Sequence, residues 1–404
     1  SIGQQIGLGQ NTPLKTFTGA EISEMDDPRL RGILVEGETI FARVAPEHKL
    51  RIVAQLKQMG EIVAVTGDGV NDAPALKKAD IGIAMGLRGN DVAKEAARMI
   101  LTDDNFSSIV AAIEEGRAIF DNIKRFAAYV LNSNPQEMYP YIFWVLFPDI
   151  PLAMTVMGVL AVDVGTDLIP AMGLGIEPPE EGIMERPPRR RDEKILSLRF
   201  ILRAYFVQGS LLALSCYATY YYMGWLLGQS FAAMPASPRG LKFSQATPAY
   251  LQTLTAYFFP TVTTQIANVL CKRSSKASLF AANFLHTAYR REVLDTIAGW
   301  RPRHAPAILG RFVLPSMTAA LAKFLERHYI AFNLVSNPLI DLGILFELLL
   351  CYFFFYTPLA DIYYFAAVPW HVYLFACHGT VILFAFEESK KYYRRKGYPL
   401  EFLG

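Results

Sequence analysis

The chain has 404 residues, of which 52% are apolar and 19% charged. An average soluble domain carries about 25% charge, so the deficit, together with a mean hydropathy of +0.23, points to a chain that lies partly inside a bilayer. Aromatic content of 13% excludes disorder as the main state. The balance of 39 basic against 37 acidic residues gives a net charge of +2 and no sign of a nucleic-acid partner. At roughly 150 residues per domain the length allows two or three domains. The chain opens on Ser1 with no initiator Met or signal peptide, and its first apolar span comes late. It is therefore expected to be a piece whose front part is missing. The cysteines Cys216, Cys271, Cys351 and Cys377 fall in or beside apolar runs, have no zinc-site spacing, and read as small buried hydrophobes.

Residues 1–125 read as soluble. Ile62-Val63-Ala64-Val65 is a buried-strand run, and Ala79 to Gly86 reads as a second. Asp72 to Ala79 suits a short helix between them. This alternation favours a parallel sheet covered by helices. Six apolar spans follow, near 126–147, 152–176, 200–227, 251–271, 338–356 and 369–386. Each approaches the roughly 20 residues that a membrane helix needs. Basic and non-basic loops alternate. The 177–199 loop holds Arg186, Arg189, Arg190, Arg191, Lys194 and Arg199, whereas the 228–250 loop has only Arg239 and Lys242. The 272–337 stretch is rich in Lys and Arg, 357–368 has none, and the tail carries Lys390, Lys391, Arg394, Arg395 and Lys396. Six spans with the soluble part and the C-terminus both cytoplasmic fit that alternation. The expected divisions are 1–125, a membrane part at 126–271, a long basic cytoplasmic loop at 272–337 with an amphipathic surface helix, and two last spans with a basic tail at 338–404.

Thr66-Gly67-Asp68-Gly69-Val70-Asn71-Asp72-Ala73-Pro74 carries the first chemistry. An Asp followed by Gly at the carboxyl end of a buried strand sits at the rim where α/β folds bind ligands. Asp72 lies four residues on. Two carboxylates and the Asn71 amide suit Mg²⁺, which would neutralise a phosphoryl group in transfer. The bland alternative is a Gly-Asp turn with a helix cap.

The second constellation lies in the apolar half. Span 126–147 holds Ser133-Asn134-Pro135-Gln136-Glu137, and span 152–176 holds Asp163-Val164-Gly165-Thr166-Asp167. An acid at mid-membrane costs about 2.5–3.5 kcal/mol, so Glu137, Asp163 and Asp167 would together cost roughly 8–10 kcal/mol if unpaired. That cost argues for bound cations, protons or basic partners. Helical spacing puts Ser133, Asn134 and Glu137 near one face, and likewise Asp163, Thr166 and Asp167. Two oxygen-rich faces on neighbouring helices make a cation cage. Pro135 frees a carbonyl about one turn earlier, and Gly165 and Pro170 loosen the next span. The alternative is a hydrogen-bond network between helices.

The string from Thr66 to Leu76 resembles the hinge motif of P-type ATPases, and Lys77 to Gly86 and Asp103-Asp104-Asn105-Phe106 also match that family. Phe41 to Lys49 resembles the segment that supplies a phosphate-contacting lysine, which implies that role for Lys49. The resemblance covers nearly the whole chain except 280–335 and is closest to the sodium/potassium and proton/potassium pumps. It implies an α/β, haloacid-dehalogenase-like, Rossmann-type phosphorylation domain, present in part. An all-α bundle of six transmembrane helices would follow. It also implies an ATP-driven cycle through a phosphorylated Asp outside these residues, with Mg²⁺ held by Asp68 and Asp72 and a nucleotide site mostly elsewhere. Catalytic roles fall on Lys49, Asp68, Asn71 and Asp72, with Lys49 and Asn71 facing the cofactor. Ser133, Asn134, Glu137, Asp163, Thr166 and Asp167 match the transport sites.

The acid-first Asp163 pattern is that of the sodium/potassium type, since calcium pumps usually have Asn there. Ser133 stands where proton/potassium pumps carry Lys. Tyr129, Gln265, Asn268 and Glu347 align near a further sodium site, though Asn268 replaces an Asp of the family. Pro135 stands one place early. The tail lacks the paired tyrosines of animal pumps, and the 228–250 loop shows no match to a region that docks an auxiliary subunit. The expected partners are a lipid bilayer, in the plasma membrane, and the small cations Na⁺ and K⁺. A calcium pump, or a non-catalytic membrane scaffold of the same fold, is the alternative.

Overall fold

A computed structural model describes residues 15–147, 150–189, 193–229, 246–280 and 336–396, with 294, 295, 321, 323–325 and 333 besides. The expected surface helix within 272–337, Arg239 and Lys242 of the 228–250 loop, Arg190 and Arg191, and the last residues of the tail lie outside the described residues. The chain forms two compact units, Ser1–Ile113 and Glu114–Gly404.

The first unit is parallel α/β. β1 (Lys15–Thr18) pairs in parallel with β2 (Thr39–Ala42), with Phe17 opposite Phe41. Between them lie α1 (Gly19–Glu24), opened by a Thr18–Glu21 capping box, and α2 (Asp27–Val35), capped by Asp26. α3 (Pro46–Gln58) leads to a second parallel sheet in the order β3 (Ala64–Gly67), β4 (Ile81–Met85) and β5 (Met99–Leu101). α4 (Ala73–Lys78) and α5 (Asp91–Ala96) make the crossovers. β4 is the middle strand, and all its residues but Ile81 are buried, as a strand covered on both faces requires. Gly82 backs onto α4 so closely that a Cβ would lie 2.4 Å from the Leu76 carbonyl oxygen. Asp80 ties the β3–β4 side together, accepting from the Val63 N–H at 3.0 Å and pairing with Lys57 at 3.0 Å.

The second unit is helical. α6 (Ser107–Leu146) contains Pro135 and Pro140. α7 (Val156–Leu160) and α8 (Leu168–Gly175) flank a wide π-helical turn at Ala161–Thr166, and α9 (Leu198–Arg203) and α10 (Ser210–Leu226) flank another at Ala204–Gly209. α11 (Pro248–Lys272), α12 (Pro338–Tyr356), α13 (Leu359–Tyr363), α14 (Trp370–Ala376) and α15 (His378–Arg395) complete the described helices. Among the described residues, four segments are long and apolar enough to cross a membrane: Val156–Gly175, Leu198–Leu226, Pro338–Tyr356 and Trp370–Arg395. The two other expected spans are helical but less apolar. α11 spends many positions on Thr, Gln and Asn, yet 18 of its 25 residues are buried. It is the central helix of its unit, so its polar groups meet protein rather than lipid.

An aromatic core packs Tyr217, Tyr220 and Tyr257 with Phe258, Phe354, Phe355 and Phe365. Cys216, Cys271 and Cys351 are buried thiols, as expected, whereas Cys377 is exposed where α14 breaks into α15. Among the described residues, three buried ion-pair clusters bind the helix ends. Arg273 donates from Nε and Nη2 to Glu177 Oε1 at 3.0 and 2.8 Å, and Asn337 holds the other oxygen at 2.6 Å. Glu180 takes Arg125 at 2.7 Å and Arg186 at 2.9 Å. Glu387 takes Lys272 and Lys390, each at 2.7 Å.

Candidate functional site

In the first unit the site forms at the carboxyl end of β3. Gly67 is required there, because a Cβ would lie 2.5 Å from the Asp72 Cβ. The chain then turns through a short 3-10 segment, Val70–Asp72, into α4. The Asn90 N–H donates to the Asp68 carbonyl at 2.8 Å and fixes the loop. Lys49, one turn into α3, reaches across so that Nζ lies 2.5 Å from Asp72 Oδ1. A cavity of about 280 Å³ is lined by Lys49, Thr66, Asp68 and Asp72 together with Arg88, Asp104 and Phe106. Asn71 is exposed and does not line it.

The Asp68 carboxylate is exposed, and among the described residues no hydrogen bond or ion pair holds its side chain. An unclaimed hard oxygen beside a lysine fits Mg²⁺, which takes one or two protein carboxylates and keeps waters and phosphate oxygens for the rest. Asp104, at a left-handed φ of 53°, accepts from the Leu87 and Arg88 N–H groups at 2.9 and 2.8 Å. The Leu87 hydrogen bond leads the effects that hold its carboxyl below the usual range.

In the second unit Glu137 of α6 meets Asp163 and Asp167 of the wide turn. One oxygen from each lies within 4.8 Å of the others, the one such acidic group among the described residues. The π-helical turn brings Asp163 and Asp167 together. The Asp167 N–H reaches back five residues to the Val162 carbonyl at 2.9 Å, widening the coil where the acids stand. Glu137 and Asp167 are buried and Asp163 is at the exposed edge. Tyr129 donates its hydroxyl to Asp167 Oδ1 at 3.0 Å, and Gln265 donates to Oδ2 at 3.2 Å. Asn268 donates to the Tyr129 carbonyl at 3.2 Å.

The other expected ligands are placed less directly. Ser133 and Thr166 are buried but donate to helix carbonyls, of Val130 and Val162, each at 2.9 Å. Asn134 donates to the Tyr205 hydroxyl at 2.8 Å. Glu347 is wholly buried, and neither carboxyl oxygen has a hydrogen-bond partner.

Sequence reasoning missed Gln136. Its side-chain oxygen accepts from Thr264 at 3.3 Å, and its backbone carbonyl accepts from the Tyr257 hydroxyl at 2.7 Å. Pro140, four residues on, has no N–H to give that carbonyl. The second proline of α6 was the available signal. Arg88 at the first site had none, whereas Asp104 and Phe106 lay in a stretch that matches the family without a site role assigned to it.

Residues 151–290 match the family described as cation transporting ATPase, C-terminus. Residues 50–113 match the haloacid dehalogenase-like hydrolases. The chain is a relative of the P-type cation-transporting ATPases. It is 49% identical over 205 residues to sodium/potassium-transporting ATPase subunit alpha-4 of Rattus norvegicus and to subunit alpha of Drosophila melanogaster, and 47% identical over 211 residues to subunit alpha-3 of Homo sapiens. These matches cover 50 to 52% of this chain and 20% of each relative, so they span about a fifth of the relatives' length.

Proposed function

We propose that this chain serves an ATP-driven cation pump that moves Na⁺ outward in exchange for K⁺ through an aspartyl-phosphate cycle. The observation that carries this reading is the triad of Glu137, Asp163 and Asp167 with oxygens within 4.8 Å of one another. Three acids that close repel each other strongly where water is scarce, and a cation removes that repulsion. Asp167 is the fixed member, because Tyr129 and Gln265 each hold one of its oxygens. Ser133, Asn134 and Thr166 complete the wall in this reading, and Tyr129, Gln265, Asn268 and Glu347 flank it.

At the phosphoryl site, Asp68 would hold Mg²⁺, which when bound neutralises phosphoryl oxygens. Lys49 steadies a phosphoryl oxygen as a point charge. Asp72 aims the Lys49 ammonium through their 2.5 Å contact and stands beside the Mg²⁺ position. Asn71 serves the nucleotide side from the exposed turn. The phosphorylated Asp and most of the ATP site belong to residues outside these 404.

The arrangement we propose has a cytoplasmic phosphorylation part at 1–125, four membrane spans in 126–271, a basic cytoplasmic loop at 272–337, and two further spans with a cytoplasmic tail at 338–404. The pump would sit in the plasma membrane with both ends of the chain inside. Asp167→Asn in the complete protein tests the cage. Mg²⁺-dependent ATP hydrolysis should lose its Na⁺ activation by about a hundredfold, since one oxygen ligand and one charge are removed together. Wild-type-like cation dependence would sink the assignment.

A further inference from the structure

Glu137 stands in a stretch of α6 that proline interrupts on both sides. Pro135 and Pro140 bracket it, and neither has an N–H to give. The carbonyl that Pro140 leaves without its helical donor is that of Gln136, the residue before Glu137. A helix kinks where proline breaks its ladder, so its direction there is set by what packs against it. Here the free carbonyl is claimed from outside. The Tyr257 hydroxyl of α11 donates to it at 2.7 Å, and both Tyr257 and Gln136 are wholly buried. The Pro135 ring lies against Gly209 of the second wide turn, where a Cβ would come within 2.3 Å of Pro135 Cγ.

The same face of α11 reaches the other half of the cage. Tyr257, Thr261, Thr264 and Asn268 recur at i, i+4, i+7 and i+11, with Gln265 beside them. Thr264 donates to the Gln136 side-chain oxygen at 3.3 Å, Gln265 to Asp167 Oδ2 at 3.2 Å, and Asn268 to the Tyr129 carbonyl at 3.2 Å. Tyr129 in turn donates to Asp167 Oδ1 at 3.0 Å. One helix therefore holds both the backbone beside Glu137 and the carboxylate of Asp167. Glu137 Oε1 has no hydrogen-bond partner among the described residues, so this carboxylate goes where its backbone puts it.

We propose that Tyr257 is a positioning residue of the cation cage. Its hydroxyl ties α6 to α11 at the proline break and so sets the distance from Glu137 to Asp163 and Asp167. The inference rests on the reading of that triad as a cation site. Tyr257 itself makes no contact with the ion in this account. A cage of oxygens discriminates among hard cations by its size and rigidity, and a tie one residue from a ligand acts on both.

The test uses the whole pump. Two quantities are measured: the half-saturating Na⁺ concentration and maximal rate of Mg²⁺-dependent ATP hydrolysis, and the rise of melting temperature with Na⁺ when choline is the balancing cation and ATP is absent. The variants are Tyr257→Phe, Tyr217→Phe, and Tyr257→Phe combined with Pro140→Ala. Tyr217 packs edge-on against Tyr257 with ring centres 5.1 Å apart, and its buried hydroxyl has no partner among the described residues, so it controls for loss of a hydroxyl from the same core. Pro140→Ala returns an N–H to the Gln136 carbonyl without restoring the tie to α11, which keeps the question open to measurement if Tyr257→Phe alone does not fold. Tyr257→Phe should raise the half-saturating Na⁺ concentration about tenfold while the maximal rate stays within about twofold of the wild type. The double variant should remain as weak for Na⁺, and Tyr217→Phe should match the wild type. A merely structural role would lower the melting temperature and leave the half-saturating concentration where it was. The proposal is overturned if Tyr257→Phe keeps the wild-type value, if Pro140→Ala restores it, if Tyr217→Phe shifts it as far, or if neither Tyr257 variant folds. A wild type whose melting temperature ignores Na⁺ would instead sink the cage, and this inference with it.

Discussion

The helical unit buries two sets of acids, and they are treated in opposite ways. Glu177, Glu180 and Glu387, at helix ends and in the segment after α8, each have a guanidinium or ammonium within 2.9 Å. Glu137, Asp167 and Glu347, buried within the helices, have none among the described residues, and neither has Asp163 at the exposed edge of the wide turn. Their neighbours among the described residues are each other, neutral hydroxyls and amides. A buried pair that is fully hydrogen-bonded has no need of anything from outside. A buried acid without a cation does, which is why we propose these acids as the place where a mobile charge binds. The contrast separates acids that hold the bundle from the acids we propose as cation ligands.

Breaking the first set should cost the most stability. Arg273→Met leaves the Glu177 carboxylate with Asn337 but no positive charge, in a place where both side chains of the pair are almost wholly covered. Losing one partner of a buried pair costs about 3–5 kcal/mol. The expected result is a large drop in thermal or denaturant midpoint, with Na⁺ activation retained in whatever protein stays folded. An unchanged midpoint would mean that the pair contributes no more than a surface contact.

The next effect in size is a pH dependence. Burial alone would raise the Glu180 carboxyl, but Arg125 beside it, the Ser275 N–H and the Ser274 and Ser275 hydroxyls outweigh burial and hold it at about 2. A folded-state value below the ordinary 4.5 means stability that is fully present above about pH 4.5. It is lost as the pH falls from there toward about 2. The size is up to about 3 kcal/mol. Glu180→Gln should therefore flatten the acid side of a plot of melting temperature against pH. A variant whose acid limb runs parallel to the wild type would assign the loss to other carboxylates.

The unpaired acids were legible in the sequence and the paired ones were not, for a physical reason. Glu137 is seen because a charge inside an apolar run is costly, and Asp163 and Asp167 because four-residue spacing puts them on one helix face. Those are local signals. Glu177 finds Arg273 96 residues away, and Glu387 finds Lys272 115 residues away. Nothing in a run of residues reports that distance.

The parallel sheet of the first unit was legible from its apolar runs, although β3 lies at Ala64–Gly67 rather than beginning at Ile62. The β1–β2 pair was not, since Lys15–Thr18 and Thr39–Ala42 are short and half polar. The wide turn at Ala161–Thr166 left only Gly165 as a trace. A Cβ there would come within 3.2 Å of Leu350 Cδ1, so the glycine lets α12 approach the turn. The full count of six spans rested on α6 and α11, whose polar residues face protein.

Glu347 gives the finest division between the two sets, and the smallest effect. It is wholly buried on α12, and its two oxygens have no hydrogen-bond partner among the described residues. An unsatisfied buried polar group costs about 1–3 kcal/mol. Glu347→Leu should therefore raise the melting temperature in a buffer whose only cation is choline. In saturating Na⁺ the wild type gains the free energy of any cation that Glu347 helps to hold, and the variant does not. The advantage of the variant should then shrink or reverse. A difference between variant and wild type that is the same in both buffers would place Glu347 outside the cation site. The acid would then be a local cost of the packing between α12 and the wide turn, and the cage would close on Glu137, Asp163 and Asp167 alone.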